Sequence, residues 1–126
     1  MSQNQAEVIE FLKTELRKIF PTSGLLIRPR TIIGETNIHI TYTNAASSAD
    51  CSNGILENDP AYMAFAIWSD RDGTFYIEKP TQHRAVLSRI GVKRFVTIKG
   101  KTEMACAIKL VEWMRKHSGP ILSLGR

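Results

Sequence analysis

Apolar residues at the start of the chain recur with a helical period. Val8, Ile9, Leu12, Leu16, Ile19 and Phe20 stand at i, i+3 and i+4 spacing, which predicts an amphipathic helix over residues 4–20. Glu7 and Glu10 come early in it and Arg17 and Lys18 late, an order that suits the helix dipole. Pro21 and Gly24 are its stop signals.

The period then changes to two. Residues 25–43 predict a β-hairpin turning at Gly34-Glu35, with Gly at the first central position. That register pairs Ile33 with Thr36, Thr31 with Ile38 and Ile27 with Tyr42. One face would carry Ile27, Thr31, Ile33, Ile38, Ile40 and Tyr42, the other Arg28, Arg30, Asn37, His39 and Thr41. This is the apolar-in, polar-out split of a sheet covered on one side. Pro29 cannot donate to a ladder, so the first strand is expected at a sheet edge.

Residues 44–60 are a long polar loop, a length that points to function or mobility. Residues 61–79 predict a second hairpin, turning at Arg71-Asp72-Gly73 with Gly73 in the left-handed conformation. Its register pairs Trp68 with Tyr76 and Ile67 with Ile77. Met63, Phe65, Ile67, Phe75 and Ile77 share one face, and Tyr62, Ala64, Ala66, Trp68 and Tyr76 share the other.

Thr81 begins a short helix to about Ile90, stopped by Gly91. Val92–Lys99 predicts a fifth strand. After Gly100-Lys101-Thr102, an apolar stripe of Met104, Ala107, Ile108, Leu110, Val111 and Met114 predicts a final helix to about His117, ended by Gly119-Pro120. An apolar tail, residues 120–126, is expected to pack on the domain or on a second chain. The order predicts one α+β domain over residues 1–126. Its antiparallel sheet of about five strands, two hairpins plus one strand, packs with N- and C-terminal helices and a short internal helix.

Composition adds bounds. At 126 residues, 43% hydrophobic and 23% charged, the chain is long enough to bury a core without disulfides or metals. Met1 is followed by Ser-Gln-Asn-Gln, with no basic and apolar leader, and no run reaches membrane-spanning length. A cytoplasmic protein without membrane contact is expected. Cys51 and Cys106 form no CxxC pair. Cys106, between two alanines in a helical pattern, is expected to be a small buried hydrophobe rather than half of a disulfide.

Charge is divided unevenly. Residues 1–77 carry 6 Lys/Arg against 9 Asp/Glu, a net of −3; residues 78–126 carry 11 against 3, a net of +8. A basic half favours a polyanionic or acidic partner. Arg84, Arg89, Lys93, Arg94, Lys99 and Lys101 are its candidate phosphate contacts, since clustered Lys and Arg displace condensed counterions. An ordinary solvated basic face is the plain alternative.

Lys99-Gly100-Lys101-Thr102 ends like a phosphate-binding loop, but Phe95 stands where the earlier glycine belongs. A single anion at the helix start, near Thr102, remains as the weaker reading; Thr102 as a simple N-cap is the plainer one. Tyr62, Trp68 and Tyr76, spaced by Ala64 and Ala66, could stack bases or receive a hydrophobic partner. The alternative is that a helix covers them. Arg28, Arg30 and His39 could extend a basic surface, a solvated hairpin face being the plainer reading.

Chemistry is poorly represented. The three histidines are scattered, and none has a second ligand at metal spacing. Asp70 and Asp72 suit a turn, and Glu78 and Lys79 point to opposite faces of a strand. No Ser or Cys lies in a nucleophile motif. No catalytic residue, cofactor or metal is therefore expected. The expectation is a small binding protein whose partner is nucleic acid, contacted through its backbone. The alternative is an interaction module of inhibitor, immunity or adaptor type that docks an acidic protein or self-associates.

Overall fold

Helix α1 (Gln3–Ile19) follows the apolar period of its sequence. Its stripe of Val8, Ile9, Leu12 and Leu16 is buried, with Phe20 just beyond. Arg17 fixes the turn that follows the helix. Its guanidinium donates to the carbonyls of Phe20 at 3.1 Å, Pro21 at 3.2 Å and Ser23 at 2.7 Å, holding the turn that leaves the helix against its last turn. The computed structural model describes residues 3–44, 63–69, 73–77 and 97–123.

Strands β1 (Gly24–Ile32), β2 (Glu35–Thr43), β3 (Met63–Ser69), β4 (Phe75–Ile77) and β5 (Ile98–Gly100) form one antiparallel sheet in the order β1-β2-β3-β4-β5. Helices α2 (Glu103–Lys116) and α3 (Ser118–Ser123) follow. The fold is α+β, with helices at both ends of the chain, as the pattern predicts. Strand β1, with Pro29, lies at the edge of this order.

The first hairpin differs from expectation by two residues of register. Ile32 pairs with Glu35, Thr31 with Thr36, Ile27 with Ile40 and Leu25 with Tyr42. The turn is therefore Ile33-Gly34, both with positive φ (52° and 76°), the signature of a type I′ turn. A shift of two keeps every side chain on its expected face, so Ile27, Ile38, Ile40 and Tyr42 are buried as predicted. Ile33 is the exception: placed in the turn, it is fully exposed rather than inward-facing. Thr31 is also exposed, and Asn37, expected to be solvated, is buried.

The second hairpin pairs Trp68 with Tyr76, and Gly73 has φ 85°, both as predicted. In the fifth strand, residues 92–96 lie outside the described residues, and Ile98 and Lys99 point to opposite faces. The long loop beyond residue 44, the short helix at 81–90 and Cys51 also lie outside them.

A single core joins the sheet to the helices. Met63, Phe65, Ile67, Ile77 and Ile98 from the sheet meet Cys106, Ala107, Leu110, Val111 and Met114 from α2, and α1 completes the cluster. Full burial of each Val, Leu, Ile, Phe or Met side chain stabilises the fold by roughly 1.5–3 kcal/mol. Cys106 is a free, fully buried thiol whose pKa is raised by burial. The tail turns back as α3 and places Ile121 in the same core. Pro120 fits the first turn of that helix, where its missing N–H costs nothing.

Buried polar groups stitch the layers together. The Tyr42 hydroxyl bonds Ser23 Oγ at 3.0 Å and donates to Asn44, whose amide donates to the Ile121 carbonyl at 2.7 Å. Gln5 donates to the Thr36 carbonyl at 2.8 Å and to the Glu103 carboxylate at 3.2 Å. Burial pushes the Glu103 carboxyl up, and the Gln5 bond partly opposes it.

Candidate functional site

Alternation along the strands decides what the sheet presents. Leu25, Ile27, Ile38, Ile40, Tyr42, Met63, Phe65, Ile67, Ile77 and Ile98 point toward α1, α2 and α3. Their neighbours in sequence point the other way. Among the described residues, no helix packs on that second face.

The register brings side chains of all five strands together on this face. Arg28 pairs directly with His39, His39 with Ala66, Thr41 with Ala64, Trp68 with Tyr76, and Tyr76 with Lys99. Arg30, opposite Asn37, continues the row on β1. Arg28, Arg30 and Lys99 are exposed, and His39, Trp68 and Tyr76 are half-buried. The result is an aromatic centre with small Ala64 and Ala66 beside it and cations on both outer strands. Directly opposed side chains on antiparallel strands have Cβ atoms about 4.5–5.5 Å apart, so Trp68 and Tyr76 form one continuous surface.

His39 sits at the junction of the basic and aromatic parts. Its ring meets Trp68 edge-on, with centroids 6.0 Å apart at 70°. Burial, then the nearby charges of Arg30 and Arg28, lower its pKa, so the imidazole is held neutral. Among the described residues its Nε2 is buried with no hydrogen-bond partner. An unpaired buried nitrogen costs stability unless a ligand or water supplies the missing bond.

The expected residues are partly assembled here. Trp68, Tyr76 and Lys99 share the face, and the first hairpin's Arg28, Arg30 and His39 join them. Lys101 is exposed in the turn between β5 and α2. Thr102 is an N-cap: its backbone is extended (φ −136°, ψ 160°), and its Oγ1 accepts from the Ala105 N–H at 3.0 Å. Gly100 is explained by packing, since a Cβ there would meet the Ala105 Cβ at 2.9 Å. The loop is thus shaped by a strand pressed on a helix start. Tyr62, Arg84, Arg89, Lys93 and Arg94 lie outside the described residues.

Among the described residues, two grooves lie on the helical side. One, of about 550 Å³, is lined by Lys13, Thr14, Arg17, Lys18 and Leu25. Its cations already have partners: Lys13 faces Glu10 at 4.0 Å, Lys18 bonds Glu15 at 3.1 Å, and Arg17 holds the backbone carbonyls. The other, of about 380 Å³, runs between Glu7, Phe75 and Glu103, where Glu103 is tied to Gln5. Among the described residues, no group of three or more His, Cys, Asp or Glu is placed to hold a metal ion, and no helix is long and apolar enough to cross a membrane.

No protein-family model, no curated protein and no solved structure matches the chain.

Proposed function

We propose that this chain is a small, non-enzymatic, cytoplasmic binding protein whose sheet binds single-stranded nucleic acid. The observation that carries the proposal is the convergence of Arg28, Arg30 and Lys99 with Trp68 and Tyr76 on the face that no described helix covers. Bases stack on aromatic rings with about 1–3 kcal/mol each, whatever their sequence. The cations on the outer strands would track the phosphates on either side.

Fluorescence anisotropy with labelled single- and double-stranded DNA and RNA, across a salt series, tests the proposal. Three phosphate contacts on a single strand give a slope of log K against log salt near −2. A steeper slope brings in further cations, for which Arg84, Arg89, Lys93, Arg94 and Lys101 are the candidates. Unchanged binding by a Trp68→Ala/Tyr76→Ala variant would remove stacking from the account. Absence of binding at low salt would overturn the proposal and turn attention to an acidic protein on the same face.

A further inference from the structure

The β1–β2 hairpin ends in an unusual way. Its two-residue turn requires positive φ at both positions, and such turns ordinarily begin with Asn, Asp or Gly. Here the first position is Ile33, at φ 52°. A β-branched residue in this region is a conformational outlier. Ile33 also gains no burial in return, being 100% exposed, while Ile32 beside it is 40% exposed. The chain thus holds a large apolar side chain at the outermost point of a ribbon, in a conformation it disfavours. Backbone strain retained without a packing benefit is a pointer to function.

The surroundings indicate the occupant. Ile32 lies on the same face of β1 as Arg28 and Arg30, by alternation along the strand. That face continues to His39, Trp68 and Tyr76. Among the described acids, Glu35 is the one near the tip, and the Ser69 hydroxyl donates to its carboxylate at 2.7 Å. An apolar point backed by two arginines is complementary to a polyanion with an apolar interior that can be opened at a step. Proteins that deform nucleic acids insert Ile, Leu, Phe, Met or Pro between base steps in this way. A flat lipid surface would meet only the tip, whereas a strand can run along the face and reach it.

We propose that Ile32 and Ile33 form an apolar wedge that enters a base step where single-stranded nucleic acid meets a duplex. This rests on the reading of the sheet face as a single-strand platform. The strand would lie over Trp68 and Tyr76, and the wedge would unstack the first pair of the adjoining duplex, where opening costs least.

The test uses the full chain and an oligonucleotide with a single-stranded overhang, carrying 2-aminopurine at the first duplex position. Its fluorescence rises when the base unstacks. The parent should raise it, and Ile33→Asn should not. Ile33→Asn should also bind the junction about ten-fold more weakly, a difference near 1.4 kcal/mol. It should bind a fully single-stranded oligonucleotide like the parent and melt no lower, because Asn accepts the left-handed conformation. A rise retained by Ile33→Asn would overturn the wedge. So would a parent that binds the junction without any rise, and so would a loss confined to phosphatidylserine vesicles, which would assign the tip to a membrane. Failure to bind any oligonucleotide would overturn the sheet platform and the wedge together; single-strand binding without unstacking would overturn the wedge alone.

Discussion

The two faces of the sheet come from the same strands and yet are built on opposite terms. The inner face is aliphatic and paired with helices: Ile38, Ile40, Met63, Ile67 and Ile77 are fully buried against α1 and α2. The outer face alternates with it residue by residue and carries Arg28, Arg30, His39, Trp68, Tyr76 and Lys99. Inner residues are explained by what they touch. Several outer ones are not: a nitrogen of His39 lacks a partner among the described residues, and Ile33 at the ribbon's end is bare and strained. Departures from local consistency concentrate where function resides, and here they lie on the outer face and its tip.

That contrast can be broken most forcefully from the inner side. Leu12→Ala removes a fully buried side chain and is expected to cost about 3 kcal/mol of stability, measured by urea unfolding. Trp68→Ala should do the reverse: less loss of stability than Leu12→Ala, with nucleic-acid binding weakened by about 1–3 kcal/mol in anisotropy titrations. A Trp68→Ala protein as unstable as Leu12→Ala would make that residue part of the core.

Smaller effects sharpen the picture. Thr102→Ala should cost about 1 kcal/mol, since the Ala105 N–H loses its side-chain acceptor. It should leave binding unchanged, because the hydroxyl serves the helix. Ile33→Asn should leave the fold as stable or stabilise it by up to about 1 kcal/mol, as the left-handed position is relieved. The smallest effect is pH-dependent. The His39 pKa is lowered in the fold, so on acidification the unfolded chain takes up this proton first. Stability from this group is fully present above the unfolded value of about 6.5, and is lost as pH falls through the lowered folded value. Thermal melts from pH 8 to 5 should decline less steeply in His39→Gln.

Much of this was legible in the chain. The 3.6-residue period of Val8 to Phe20 and the alternation of both hairpins gave the helix, the strands and nearly every inward residue. Gly73 located its turn because a left-handed position needs glycine. Gly34 misled by the same logic, since placing it first in the turn ignores that Ile33 could take that position under strain. Which hairpin edges meet, and where the fifth strand joins, was not legible, because alternation assigns faces and not partners. So Arg28, Arg30 and His39, already on one face of the first hairpin, could not be set beside Trp68 before the β2–β3 pairing was known. At Gly100-Lys101-Thr102 the plainer reading, Thr102 as an N-cap, is the one the structure shows, and Gly100 is accounted for by its close packing on Ala105.

The most direct measurement is a titration of the isotopically labelled protein with a short single-stranded oligonucleotide, followed by amide NMR shifts. The account predicts that the largest shifts fall on residues of the outer face, from Arg28 and His39 through Ala66 and Trp68 to Tyr76 and Lys99. Shifts concentrated instead on α1 and α2, around Lys13, Lys18, Lys109 and Lys116, would contradict it.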